Sequence, residues 1–436
     1  MKTLSQWLDY IEKAHTQEID MGLSRIKQVA SKLQIDLANC VVVTVAGTNG
    51  KGSTCRFIEQ TLLACDATIG VYSSPHIHQF NERIRLNGAN VSDQIICEAF
   101  NKIYTESATA NNGQPISLTY FEYATLCALL IFSESELDVC LLEVGLGGRL
   151  DATNIIDADI GVITSIGLDH QDYLGNTLSD IAFEKAGIIK PKQHVVVGYD
   201  NPQSSLLNYI VETNTAFFKG VNFDLKEDST NNSVGWVRFN DELYEIDLSR
   251  AKIPQQNIMT AIATLLFVFD KLVKQEATKF ESINYIDISQ RLVPQVTMPG
   301  RFQVLQKKPY IILDVAHNQA AAELVVKQCA RLDYTHCYII VGMLKDKNIT
   351  DTIKTLSALK PSWLCSELPG ARAVKAEVIA NDAKQCSKNV RILPCIESAL
   401  NLVKNEASPS DLILVVGSFI VASECLYALD KQEKGD

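Results

Sequence analysis

The sequence predicts an α/β protein in two domains: a doubly wound, mostly parallel sheet carrying a phosphate-binding loop, with a small antiparallel sheet added, and then a smaller α/β domain. Three observations predict it. A β-branched apolar run, Val41-Val42-Val43-Thr44-Val45, stops at a glycine-rich turn, Gly47-Thr48-Asn49-Gly50-Lys51-Gly52-Ser53, and passes into a helical pattern. Short apolar runs alternate with amphipathic stretches along most of the chain, which is the pattern of a parallel sheet. Pro294, Pro299 and Gly300 then punctuate the chain before a fresh series begins, placing the domains at residues 1–295 and 296–436.

Residues 5–33 read as helix broken near Asp20-Met21-Gly22-Leu23. A strand before the loop and a helix at 53–64 flank the turn, followed by a strand at 68–72. Helical periodicity at 92–108 and 120–132 leads to strands at 138–144 and 160–166. A helix at 179–186 is closed by Gly187, and 194–197 is another buried strand. Between 221 and 248, short alternating pieces with Asn-rich turns predict the antiparallel addition. Residues 255–272 return to helix. Strands of the second domain are expected at 310–314, 338–341, 363–366, 391–394 and 412–416, and the charged tail 430–436 is expected to fray.

Composition narrows the function. With 47% hydrophobic and 21% charged residues in 436, the chain is globular and long enough for a large core. A net charge of −11 speaks against a general nucleic-acid or anionic-membrane surface, so an anionic ligand must be held by local groups. No run reads as long and uncharged enough to span a bilayer, and the first residues lack a signal-peptide pattern; a cytoplasmic location is expected. The twelve cysteines lie singly, without a C-x-x-C pair, and read as reduced core residues.

The turn is where the chemistry concentrates. Glycines let backbone N–H groups converge on phosphate oxygens, Lys51 adds a point charge, a hydroxyl can reach Mg²⁺, and the helix dipole favours the anion. The spacing departs from G-x-x-x-x-G-K-[ST]: Val45 stands at the first Gly and Gly52 separates Lys51 from Ser53. A nucleoside triphosphate is the expected ligand, and the variant spacing points to a subfamily. Glu143, at the end of a buried strand before Gly145-Leu146-Gly147-Gly148, is a candidate Mg²⁺ ligand at the crevice edge. A dinucleotide fingerprint fits poorly there, because the third Gly is missing. His170, in the polar cluster Thr164-Ser165-Ile166-Gly167-Leu168-Asp169-His170 just past a buried strand end, reads equally as a metal ligand or a structural histidine. Ser73, Ser74, His76 and His78 open onto the same edge, but a zinc H-x-H site lacks further ligands.

These segments together resemble a family. The loop, Tyr72-Ser73-Ser74-Pro75-His76, Leu118-Thr119-Tyr120-Phe121-Glu122, residues 142–154, Leu168-Asp169-His170, Glu184-Lys185-Ala186-Gly187, Pro299-Gly300-Arg301-Phe302 and Asp314-Val315-Ala316-His317-Asn318 are similar, in order and over almost the whole chain, to folylpolyglutamate synthases of the Mur-ligase superfamily. The resemblance implies a P-loop ATPase domain, a Rossmann-like C-terminal glutamate-ligase domain, and ATP-dependent amide formation through an acyl phosphate. It implies that Asn49, Gly50, Lys51, Gly52 and Ser53 hold the ATP phosphates, with Asn257, Arg301 and Asp314 as further ATP contacts. Ser74, Glu143 and His170 would ligate Mg²⁺. Lys185, on sequence alone a solvated lysine near a helix C-terminus, would be carbamylated. His317 and Ser418 would face the incoming L-glutamate, with helix capping as the competing reading.

Asp20, Met21, Gly22 and Leu23, Thr119, Tyr120, Phe121 and Glu122, and Leu150, Asp151 and Ala152 match segments of a dihydropteroate pocket in bifunctional members. There Phe121 could stack on a pterin while Glu122 or Asp151 accepts its N–H groups. The implied partners are dihydropteroate, reduced folates and L-glutamate, with no nucleic acid or membrane, and a monomer is expected. A cell-wall amino-acid ligase would carry a UDP-binding domain before the loop, and the roughly forty residues there fall short of domain size. A nucleotide-dependent regulatory protein would leave Glu143, His170 and Lys185 without a joint purpose.

Overall fold

The computed structural model of the chain describes residues 2–227, 233–275, 278–370 and 372–435; the Asn-rich turn expected at 228–232 lies outside them. The first unit, Met1–Leu168 with Leu174–Val296, is built on an eight-stranded sheet. Its strands are β1 (Val41–Ala46), β2 (Ile69–Tyr72), β3 (Ile84–Leu86), β4 (Ala89–Asn90), β5 (Val139–Glu143), β6 (Ile160–Ile163), β7 (His194–Val197) and β8 (Thr215–Phe218). They lie in the order β4-β3-β2-β5-β1-β6-β7-β8. Pairing is parallel from β2 to β8, and β3 and β4 form an antiparallel edge.

Every residue of β1 and β5 is buried. A parallel sheet is covered on both faces, so its strands read as continuous apolar runs rather than alternating ones. The helix Tyr120–Ser133 is apolar around its circumference and buried from Glu122 to Phe132, as a helix inside a core must be. A separate three-stranded antiparallel sheet, β9 (Phe223–Glu227), β10 (Ser233–Phe239) and β11 (Glu242–Asp247), provides the addition expected at 221–248.

The second unit comprises Thr297–Asp436 with the short segment Asp169–Tyr173. Its six strands are β12 (Gln303–Lys307), β13 (Tyr310–Asp314), β14 (Cys337–Val341), β15 (Ser362–Ser366), β16 (Val390–Leu393) and β17 (Leu412–Val416). They run in the order β12-β13-β17-β14-β15-β16, parallel except for the β12 edge. Both units are therefore α/β.

Some expectations need correction. The edge strands β3, β4, β8 and β12 carry no long apolar run and escaped the periodicity reading. The tail does not fray at residue 430, because the last helix, Phe419–Gly435, continues through it. One helix, Gln255–Lys274, is long and apolar enough by length and composition to cross a membrane, contrary to the sequence reading. It is a core helix, mostly buried and packed against the Lys51–Ala64 helix. The cysteines form no disulfide among the described residues, and ten of the twelve are buried. Burial pushes their thiols up, Cys40 to about 12, which keeps them protonated.

Leu142 is fully buried in β5, one residue before Glu143. Leu142→Ala is expected to lower unfolding free energy by about 2–5 kcal/mol through lost transfer energy and a residual cavity, read as a reduced urea midpoint with an unchanged slope.

Candidate active site

Register brings the candidate groups of the first unit to one edge. Tyr72 pairs with Leu142, Val45 with Glu143 and Ala46 with Ile163. The turns carrying Ser73-Ser74, Glu143, Gly47 and Thr164-Ser165 thus leave four adjacent strands side by side, at the carboxyl ends where open α/β sheets bind ligands.

The loop between β1 and the Lys51–Ala64 helix is tied down residue by residue. Thr48 N donates to the Ser165 carbonyl at 2.8 Å and Asn49 N to Ser165 Oγ at 3.0 Å. Thr164 Oγ1 and Ser165 Oγ both donate to the Asn49 carbonyl, at 2.7 and 2.9 Å. Gly50 is the helix N-cap at φ +93°, a conformation that favours glycine. A Cβ at Gly47 would lie 1.9 Å from Thr164 Oγ1, so only glycine allows that approach. Lys51 Nζ donates to the Gly47 carbonyl at 2.9 Å. Ser53 Oγ accepts from Asn257 Nδ2 at 2.7 Å, and Gly52 lies between Lys51 and Ser53 in the first helical turn.

Lys185 is buried, contrary to the solvated lysine read from sequence, and its Nζ donates to the same Gly47 carbonyl at 3.1 Å. The neighbouring Glu184 pairs with Arg149 at 2.8 Å.

Glu143 is a buried carboxylate and Ser74 a hydroxyl one strand away. Hard oxygen donors in this number suit Mg²⁺, which keeps several waters and takes one or two carboxylates beside phosphate. Among the described residues no cluster of three His, Cys, Asp or Glu side chains forms a metal cage, so any ion here relies on hydroxyl, water and phosphate oxygens as well.

The residues matched to a pterin pocket divide differently. Glu122 Oε2 accepts from Arg25 Nε and from Thr119 N, both at 2.8 Å, while Arg25 also pairs with Asp20. Thr119 and Glu122 form the capping box of the Tyr120–Ser133 helix. The Asp151 carboxylate accepts from Gly145 N, Leu146 N, Thr153 N and Thr153 Oγ1. Burial pushes its carboxyl up against the opposing pull of these bonds. It caps the turn through Ala152 and fixes the glycine loop after Glu143, with Leu150 just ahead of it. Phe121 packs against Gly145, where a Cβ would meet its ring at 2.5 Å, and Met21 approaches Gly147. Gly22 has open space around its Cα, Leu23 precedes the Ser24–Leu33 helix, and the Tyr120 ring lies under the Arg83 guanidinium.

In the second unit, Asp314 at the end of β13 accepts from Phe302 N and Ala316 N at 2.7 and 2.8 Å. Burial pushes its carboxyl up, opposed by the charge of Arg301, whose guanidinium sits 5.4 Å over the Phe419 ring. Ser418 caps the last helix by accepting from Val421 N at 3.2 Å. His317 is not a cap, since Asn318 fills that role. Its Nε2 lies 3.4 Å from Asp169, which also binds Lys347 Nζ at 3.0 Å. Burial works against the Asp169 charge, but the His317 hydrogen bond and the charges of Lys347 and His170 outweigh it and hold the carboxyl well below its usual range. His170 groups with this unit, its Nε2 2.9 Å from Lys347 Nζ and its Nδ1 3.6 Å from Asp346.

Sequence reasoning placed Thr164 and Ser165 in the His170 cluster without seeing that they bind the loop, and it missed Arg25 and Lys347. Only Lys347 left a signal, the charged run Lys345-Asp346-Lys347 just past a buried strand.

The Mur ligase middle domain profile matches residues 45–265 and the Mur ligase glutamate ligase domain profile residues 300–419. The dihydrofolate synthase/folylpolyglutamate synthase of Escherichia coli strain K12 is 36% identical over 99% of this chain and 97% of its own length. The chain belongs to the dihydrofolate synthase/folylpolyglutamate synthase family of Mur ligases. The family protein of the same name from Bacillus subtilis strain 168 is 30% identical, over 92% of this chain and 94% of its own. Among solved family structures, E. coli FolC in complex with DHPP and ADP superposes with TM-score 0.88 at 34% identity, covering 99% of each chain. The Yersinia pestis structure complexed with AMPPNP and Mn ion gives 0.85 at 35%, covering 99% of this chain and 98% of its own.

In this family member Asp151 is committed to holding a loop. Asp151→Ala leaves buried N–H groups without their acceptor, and is expected to cost about 1–3 kcal/mol or more and to lower turnover of every substrate together. Urea denaturation alongside assays with dihydropteroate and with a reduced folate checks this; a loss confined to dihydropteroate would instead assign the carboxylate to the pterin.

Proposed function

We propose that this chain is an ATP-dependent ligase that adds L-glutamate to dihydropteroate, making dihydrofolate, and to reduced folates, making folylpolyglutamates. The observation that carries the reading is the row of strand ends: a glycine loop with Lys51 and Ser53, Glu143 on the neighbouring strand and Ser74 on the next, in a chain similar over its whole length to proteins named for these activities. Solved family structures hold ADP with DHPP, and Mn with AMPPNP and L-glutamate.

A carboxylate is a poor electrophile, so the substrate's carboxylate oxygen attacks the γ-phosphorus of ATP and ADP leaves. The glutamate amine then attacks the acyl carbon, and inorganic phosphate departs with the bond that held it. Such catalysis is mostly positioning and charge neutralisation. Asn49, Gly50, Lys51, Gly52 and Ser53 hold the phosphates, with Asn257 beside them. Ser74, Glu143 and His170 would hold Mg²⁺, which would supply neutralising charge to the transferring phosphoryl group. Residues 1–295 bind ATP and the pteroate substrate, with Asp20, Met21, Gly22, Leu23, Thr119, Tyr120, Phe121, Glu122, Leu150 and Ala152 around the pterin. Residues 296–436 provide Arg301 and Asp314 for ATP, and His317 and Ser418 for glutamate. The enzyme works in the cytoplasm.

Glu143→Ala and His170→Ala are expected to reduce ligation by roughly a hundred-fold or more, since losing a metal ligand should cost at least what losing a ligand's own partner does. Far-UV circular dichroism should be unchanged. Product mass from purified protein with dihydropteroate, tetrahydrofolate, ATP and glutamate is the direct test; extension of tetrahydrofolate with dihydropteroate untouched would reduce the activity to one.

We also propose that Lys185 carries a carbamate, supported by its burial against the Gly47 carbonyl. Lys185→Ala is then expected to be inactive and partly restored by short carboxylic acids. Density ending at an unmodified Nζ in crystals grown with bicarbonate would count against the modification.

A further inference from the structure

Behind the strand-end row lies a charged network that the reaction as outlined does not use. Glu59, about two turns into the loop helix, is completely buried. Arg85 of β3 grips it with two near-parallel bonds, Nε to Oε1 at 2.8 Å and Nη2 to Oε2 at 3.0 Å, and Arg56 adds a third at 3.0 Å. The remaining nitrogen of Arg85, Nη1, turns the other way and donates to Ser73 Oγ at 2.9 Å and to the Glu82 carbonyl at 2.7 Å. Ser73 adjoins Ser74, and its own N–H donates to the Arg83 carbonyl at 2.9 Å. One guanidinium therefore joins the helix that starts with Lys51 to the turn that carries Ser74.

Stability alone is a weak reason for such a group. A buried ion pair can often be replaced by apolar residues without loss, because the desolvation of both charges offsets their attraction. What apolar residues cannot supply is direction, and the planar fork of arginine fixes two carboxylate oxygens and two further acceptors at set angles. We propose that Arg85, held by Glu59, is a positioning residue for the divalent ion: it sets the Ser73-Ser74 turn against the loop helix so that the Ser74 hydroxyl and the Glu143 carboxylate face one ion. The proposal rests on the ligase reading, in which Ser74 and Glu143 hold Mg²⁺.

The test removes the pair together, as Glu59→Met/Arg85→Met, because either single change would leave a buried charge uncompensated. Mn²⁺ binding in the presence of ADP, measured by the electron paramagnetic resonance of free Mn²⁺, is expected to weaken by roughly 10- to 100-fold, the usual effect of losing a group that orients a metal ligand. ADP binding in EDTA should not change. Ser73→Ala, which removes only a hydroxyl and keeps the test open if the double variant misfolds, should weaken Mn²⁺ binding about five-fold, what one hydrogen bond is worth. Arg85→Lys should not rescue, since an ammonium cannot make all four bonds. Wild-type Mn²⁺ affinity in Ser73→Ala and in a folded double variant would overturn the positioning role alone. A wild-type protein that binds ADP but no Mn²⁺ would overturn the metal reading of Ser74 and Glu143 as well.

Discussion

The carbonyl of Gly47 is the point on which the first unit's site is hung. Two lysines from different helices, Lys51 and Lys185, donate to that one oxygen. One backbone oxygen therefore holds the side chains of two helices in place beside the loop. The carbonyl stays in place because the loop around it is bound to the end of β6 through Thr164 and Ser165. An acidic protein of net charge −11 thus carries a loop whose backbone is fixed by its own hydrogen bonds with two lysines drawn against it.

Buried charge elsewhere does similar work. Arg25 collects Asp20 and Glu122 and so joins the segment before one helix to the cap of another. Asp151 gathers four donors around the turn after Glu143, and Asp314 fastens the backbone on both sides of itself. Carboxylates that look in sequence like substrate contacts are thus, in the folded chain, groups that hold the backbone of turns and helix ends. The two roles are compatible where one oxygen is committed and the other is not: Glu122 Oε2 is engaged by Arg25 and Thr119, whereas all the bonds of Asp151 serve its own loop.

The central strands were legible because a parallel sheet covered on both faces demands near-continuous apolar runs, and 41–46, 139–142 and 412–416 have them. The edges β3, β4 and β12 were not, because an edge strand half exposed to water needs no such run. In the site, the loop was legible from its glycines and Lys51, since backbone geometry constrains residue type there. The task of Thr164 and Ser165 was invisible, because hydroxyls after a strand are common and only the neighbouring loop gives them one. Lys185 was misread as solvated for the same reason: helix-terminal lysines are usually exposed, and nothing local says that the turn before β1's helix will cover this one.

By itself the sequence determined the α/β class, the glycine loop between a strand and a helix and, through ordered motifs along its whole length, the family. These are properties of local pattern, in which periodicity, glycine placement and strand-to-helix order follow from steric and burial rules acting over a few residues. The tertiary structure decided which polar groups meet. Arg85 reaches Glu59, 26 residues away, and Lys185 reaches Gly47, 138 residues away, because sheet order places β2, β5, β1 and β6 side by side although the chain visits them in another order. Hydrogen bonds and ion pairs depend on distances of a few tenths of an ångström, and those are fixed only when the strands are in register.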